Sequence, residues 1–124
     1  MNTRSESIPL VVEGEAASVA LDVMQFDGRR TVFVVNDSGR LLGVITEGDL
    51  AKVARSQPIS RISCTEIMNP NPVLAKRDAT DMQILELFAS TGHLLFPVVE
   101  EATRGLVGVR SSTDAAANLL SNRS

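Results

Sequence analysis

The 124 residues carry 15 acidic against 12 basic side chains, a net charge of −3 with both signs interspersed. Four Phe and no Tyr or Trp supply no platform for stacked bases, and the charge supplies no footprint for a phosphate backbone, so nucleic-acid partners are excluded. Cys64 is alone, which excludes an intramolecular disulfide and a cysteine-rich metal site, and no apolar run approaches the ~18 residues of a membrane span.

By length the chain is one domain, or two units of about 60 residues that are marginal alone and share a core. Residues 1–7 form a polar lead-in, expected to be partly disordered and unlike a signal peptide. The chain therefore reads as soluble and cytoplasmic, with no membrane partner. Ile8-Pro9-Leu10-Val11-Val12 is a short extended run whose proline suits a strand start. From Ala16 to Phe26, Val19, Ala20, Val23 and Met24 recur at helical spacing, and Gly28 is placed as the left-handed cap. Thr31 to Val35 is β-branched and aromatic, a buried strand. Asn36-Asp37-Ser38-Gly39 is turn chemistry, and Leu41 to Ile45 returns as the partner strand. Thr46-Glu47-Gly48-Asp49 opens a helix running to about Arg55, and residues 56–66 read as a connection.

Pro72-Val73-Leu74-Ala75 then echoes the first strand. Asp81 to Thr91 is a helix with the capping-box signature Thr80-x-x-Gln83 and a terminating Gly92. Leu94 to Val99 and Leu106 to Val109 are strands, Ser112 to Leu120 is the last helix, and residues 121–124 are a polar tail. The second half restates the first. Ala20, Val23, Met24, Gly28, Val34 and Val35 map onto Ile84, Leu87, Phe88, Gly92, Val98 and Val99 at an offset of 64. Gly43, Thr46 and Asp49 map onto Gly108, Ser111 and Asp114 at 65, so the second copy has one extra residue in its turn. The expected fold class is α+β: two β-α-β-β-α repeats, residues 8–58 and 59–120, each with a three-stranded sheet and together forming one domain.

One repeated spacing carries chemistry. Thr46 stands at the start of a helix, where unpaired N–H groups and the helix dipole favour a phosphate. Asp49, one turn later, projects on the same side and can accept hydrogen bonds from both hydroxyls of a ribose. Ser111 and Asp114 repeat the pattern. A hydroxyl followed three residues later by an acid is equally an ordinary helix cap, stabilising by roughly 1 kcal/mol. Spacing alone leaves binding and capping open.

Taken together, Phe33-Val34-Val35-Asn36-Asp37, Gly39-Arg40-Leu41-Leu42-Gly43-Val44-Ile45-Thr46-x-x-Asp49-Leu50, Ile67-Met68-Asn69-Pro70-Asn71-Pro72-Val73, Phe96-Pro97-Val98-Val99 and Gly105-Leu106-Val107-Gly108-Val109-x-Ser111-x-x-Asp114 resemble a tandem pair of cystathionine-β-synthase (CBS) domains, a Bateman module. The resemblance covers residues 8 to about 120. It implies two repeats packed sheet to sheet about a pseudo-twofold axis, with two clefts between them that take adenosine-containing ligands. It further implies that Thr46 or Ser111 contacts phosphate, that Asp49 or Asp114 holds ribose, and that Leu10, Val11, Val73 and Leu74 line the base. It also implies pairing of modules into a homodimer and control of a partner enzyme or transporter domain.

Two departures bear on the clefts. Where many nucleotide-binding relatives carry a basic residue before the Pro-Val pair, the second copy has Leu94 and Leu95. The first has Arg29 and Arg30, so phosphate neutralisation is expected at the first copy, by Arg30, and one occupied cleft rather than two. Arg110 replaces the usual apolar residue before Ser111 and reads as a solvated strand-end side chain. A weaker resemblance, carried by Thr46-Glu47-Gly48-Asp49-Leu50 and Ile67 to Pro72, is to CBS pairs attached to sugar-phosphate isomerases and sugar-nucleotide transferases.

His93 lacks a Cys/His/acid set, Cys64 has no activating histidine, and no Gly-x-Ser-x-Gly elbow occurs, so nothing forms a catalytic constellation. The expectation is a regulatory module, not an enzyme, needing no cofactor and taking an adenine nucleotide (AMP- or ATP-like) as its effector. Its rivals are a dimerisation module with empty clefts and the sensor domain of a sugar-nucleotide or sugar-phosphate enzyme.

Overall fold

The computed structural model describes residues 7–121; the polar lead-in and tail, apart from Ser7 and Ser121, lie outside the described residues. The elements run β1 (Leu10–Val12), α1 (Ala17–Asp27), β2 (Thr31–Val35), β3 (Leu41–Thr46), α2 (Glu47–Ala54), α3 (Cys64–Ile67), α4 (Asp81–Thr91), β4 (Leu95–Val99), β5 (Leu106–Ser111) and α5 (Ser112–Ser121). The predicted α+β duplication is observed. Gly28 (φ 84°) and Gly92 (φ 77°) end α1 and α4 in the left-handed conformation, their N–H groups donating to the Met24 and Phe88 carbonyls. The Thr80/Gln83 capping box opens α4. Both hairpins break register at equivalent places, between Val34 and Val35 and between Val98 and Val99.

The sheets differ in width. In the first repeat β1 lies parallel to β2, pairing Leu10 with Phe33, and the Phe33 amide donates to Pro9 O at 2.9 Å. Phe33 corresponds to Pro97, which has no N–H to give. The segment expected as the opening strand of the second repeat therefore keeps one bond, Ala75 N to Pro97 O at 2.9 Å, and forms no ladder. The second sheet is β4-β5 alone.

Three apolar clusters hold the molecule. One fills the first repeat around Val11, Val34, Ile45 and Leu50, and a second fills the other repeat around Ile84, Phe96 and Ala115. The third joins the sheets: Phe33, Leu41 and Leu95, with Ile8, Val44, Leu74, Leu106 and Val109 packed against them. The hairpin tips meet as well, Leu41 N donating to Arg104 O (3.0 Å) and Leu106 N to Gly39 O (2.9 Å).

Residues 56–66 do more than connect. Ile59, Ile62, Cys64, Ile67 and Met68 pack into the first repeat's core, and α3, which hydrophobic spacing did not reveal, carries Cys64 into it. Cys64 is fully buried, its thiol 3.4 Å from Ala16 O; burial, and then the nearby Glu15 carboxylate, push its pKa above the ordinary value of 9.0. It behaves as a small core hydrophobe.

Candidate functional site

The two hydroxyl–acid pairs occupy matching positions at the ends of β3 and β5. Both helix starts are anchored to the loop before the first strand of their own repeat's hairpin: Glu47 N donates to Arg30 O (3.0 Å) and Ser112 N to Leu94 O (2.9 Å). At Ser112 the hydroxyl adds bonds to the carbonyls of His93 (3.2 Å) and Leu94 (3.0 Å). These anchors bring both helix N-termini to the region between the sheets.

The pairs themselves are in different states. Thr46 and Asp49 close a complete capping box. Asp49 Oδ2 accepts from Thr46 N at 2.8 Å and from Thr46 Oγ1 at 3.0 Å, and Asp49 N donates to Thr46 Oγ1 at 3.4 Å. Every recorded bond of the Asp49 carboxylate is thus to its own helix start. In the second repeat only the weaker half exists, Asp114 N donating to Ser111 Oγ at 3.2 Å. No hydrogen bond or ion pair occupies the Asp114 carboxylate among the described residues.

The space around the pairs differs in the same sense. Beside Thr46 there is a cavity of about 30 Å³, lined by Thr31, Phe33, Asn69, Val73, His93 and Leu95 among others. That is room for one water. Ser111 is flanked by two larger spaces. One, of about 210 Å³, is walled by Gly28, Arg29, Arg30, Thr31, Leu94 and Leu95 as well as Ser111 and Thr113. The other, of about 400 Å³, is a groove lined by Val107, Gly108, Arg110, Asp114 and Asn118 among others.

The remaining residues singled out from sequence are dispersed. Val73 reaches the small cavity beside Thr46. Leu74 packs between the sheets. Val11 is sequestered in the first repeat's core and Leu10 is exposed; neither lines the cavities at Thr46 or Ser111. Arg29 is bound to Asp27 (2.6 Å) and to Ser7 O (2.8 Å), and Arg30 lies 3.6 Å from Glu47. The arginine loop was expected to serve its own repeat. The structure instead places it across the cavity from Ser111, because facing sheets pair a loop of one repeat with a helix start of the other. Crossing contacts of this kind leave no trace in sequence spacing.

Arg110 also departs from expectation. Rather than ending in solvent, it donates to Ala79 O (2.6 Å) and pairs with Asp81 (3.1 Å), tying β5 to the start of α4. The signal lay in the offsets: Arg110 stands for Ile45 and Asp81 for Ala17, so one buried apolar contact is exchanged for a half-buried ion pair.

Among the described residues no group of three or more His, Cys, Asp or Glu could hold a metal ion. Nor is any described helix long and apolar enough to cross a membrane.

Comparison with known proteins gives consistent matches. The family model described as "CBS domain" matches twice, at residues 4–56 and 64–120. The magnesium transporter MgtE of Thermus thermophilus is 35% identical over 83 residues, which are 67% of this chain and 17% of the transporter. The chain therefore spans about a sixth of that relative's length. The crystal structure of the cytosolic domain of the Mg2+ channel MgtE in complex with ATP superposes with a TM-score of 0.72 at 27% identity, covering 90% of this chain and 44% of that one. CBSX2 in complex with AMP superposes at 0.79 and 17% identity, covering 94% and 90%.

Proposed function

This chain belongs to the CBS-domain family, and from that premise we propose that it is a regulatory pair that senses an adenine nucleotide in the cleft around Ser111 and Asp114. The observation that carries the reading is the Asp114 carboxylate, which has no hydrogen-bond or ion-pair partner among the described residues and stands one helical turn from Ser111. A ribose supplies two adjacent hydroxyls that such a carboxylate can accept. The amides at the start of α5, with Arg30 across the cavity, suit a phosphate. Support from relatives is of the same kind: the MgtE cytosolic domain was crystallised with ATP and CBSX2 with AMP.

The closed Thr46–Asp49 box and its small cavity favour a structural role for the other helix start, so one nucleotide binds per chain. The ligand acts by stabilising one packing of the two repeats over another, and a partner, such as a transporter or enzyme domain, reads the difference. The module works as a cytoplasmic homodimer and performs no catalysis.

Calorimetric titration with AMP, ATP, S-adenosylmethionine and a sugar nucleotide tests this. The expected result is a single site per chain for an adenine ligand, weakened at least ~10-fold by Asp114→Ala, a loss of about 1.4 kcal/mol of binding. Saturation at ~100 times the dissociation constant raises stability by about 2.7 kcal/mol. Binding of a sugar nucleotide alone, or of no nucleotide, would assign the module to a different effector or to a purely structural role.

A further inference from the structure

The opening segments of the two repeats begin alike and end differently. In the first, β1 stays on β2 to its end: Val12 pairs with Val35, and Glu13 N donates to Val35 O at 2.8 Å. In the second the turn that follows is kept, Ala79 N donating to Lys76 O (3.1 Å) as Glu15 N does to Val12 O (3.1 Å). The pairing before that turn is lost. Beyond the bond from Ala75 N to Pro97 O, nothing among the described residues joins Lys76 or Arg77 to Val99. Residues 76–78 and 99–101 therefore enclose a wedge of about 770 Å³, whose apolar lining is Leu74, Ala75 and Val99.

Two features of the wedge point to a small ligand. The first is the backbone. Along a strand every second residue directs its N–H and C=O to the same side, so Val99 aims both where the Pro97 carbonyl aims, into the wedge. On the β5 side the bond at this point belongs to its neighbour, Glu100 N donating to Gly105 O (2.8 Å). Val99 has no bond on the wedge side among the described residues, and neither has the Arg77 N–H. The second feature is charge. Lys76 and Arg77, with Asp78 after them, stand on one wall and Glu100 and Glu101 on the other, yet among the described residues no ion pair closes between the walls. Glu100 accepts only from the Thr103 hydroxyl (3.3 Å). Opposite charges held apart, with a free backbone donor and acceptor between them, are what a zwitterion bridges.

We propose that this wedge binds a free α-amino acid. The ligand carboxylate accepts from the N–H groups of Val99 and Arg77 and is neutralised by the Lys76 and Arg77 side chains. Its ammonium donates to Val99 O and to the Glu100 or Glu101 carboxylate, and its side chain lies on Leu74 and Ala75. Bound in this way, the ligand restores through itself the link between the opening segment and β4 that Glu13 makes directly in the first repeat. The wedge is at the Val99 end of β4, whereas Ser111 pairs with Leu95 at the other end. The inference therefore stands or falls apart from the proposed nucleotide.

NMR titration of the nucleotide-free full chain with L-leucine, chosen for the apolar lining, tests it. Saturable shifts are expected at the Val99 and Arg77 amides, with the Ser111 amide unmoved. Leucinamide lacks the carboxylate and N-acetyl-leucine lacks the ammonium, and each is expected to bind at least ~10-fold more weakly, because each gives up charged hydrogen bonds. Arg77→Ala should weaken leucine by a similar ~10-fold and leave the melting temperature of the free chain in place, since no bond of its exposed side chain is lost among the described residues. Absence of saturable shifts at Val99 overturns the inference. N-acetyl-leucine binding as tightly as leucine overturns it by making the wedge an anion site, and leucinamide doing so overturns it by making the wedge a cation site.

Discussion

Thr46–Asp49 and Ser111–Asp114 share spacing, position and the strand that precedes them, yet one is a finished helix cap and the other is half open. The difference lies in their surroundings. The first pair stands beside a strand edge already covered by residues 67–70, where little space remains. In the second pair both residues line a groove, and Ser111 also shares a cavity with an arginine loop from the other repeat. Duplication copied the local motif, while packing gave the two copies different surroundings. A hydroxyl–acid spacing therefore identifies a helix start, and only its neighbourhood says whether the acid is spent on capping or kept for a ligand.

The comparison can be broken most sharply at the paired glycines. Gly43→Ala forces a methyl into the Met68–Asn69 backbone, and the expected cost is about 2 kcal/mol in urea unfolding. A loss under ~0.5 kcal/mol would mean that the covering segment yields freely and that the two edges differ less than their contacts suggest.

The acids come next. Asp49→Ala removes the carboxylate arm of the capping box, its bonds from Thr46 N and Thr46 Oγ1, and should cost about 1 kcal/mol of stability. Asp114→Ala removes no bond of the carboxylate among the described residues and should cost less than ~0.5 kcal/mol while carrying the loss of ligand binding. Equal destabilisation by the two variants would make both pairs caps.

The smallest effect is at the hairpin tips, where Arg104 (φ 59°) occupies the place of Gly39 (φ 82°). A left-handed arginine costs roughly 1 kcal/mol, partly offset by the greater freedom of glycine in the unfolded chain. Arg104→Gly should therefore stabilise by about 0.5 kcal/mol, seen as a small rise in the unfolding midpoint. Destabilisation instead would show that the arginine side chain contributes to the tip beyond its backbone angle.

Much of the fold could be read in the residues themselves. The helices over 16–26 and 81–91, both glycine caps, the Thr80–Gln83 box and the hairpins follow from spacing and from the conformational preferences of neighbours, and the structure reproduces them. The missing third strand was legible too, in Pro97, once Phe33 is seen to donate from the same position. Less of the site could be read. Val11 looked like a wall of the ligand cleft and is a core residue of its own repeat. Arg30 was expected to neutralise a phosphate at the first copy, and it lines the cavity at Ser111.

What the sequence determined by itself is the duplicated unit, because caps, turns and amphipathic spacing act over a few residues and survive copying. What only the tertiary structure decided is which copy of the motif stays open. That outcome depends on contacts between segments far apart in the chain: residues 67–70 closing the edge of β3, the Arg110–Asp81 pair replacing an apolar contact, and the loop at Arg30 crossing to the opposite repeat. Local preference is blind to such contacts, since their energies appear only when the two sheets are brought face to face.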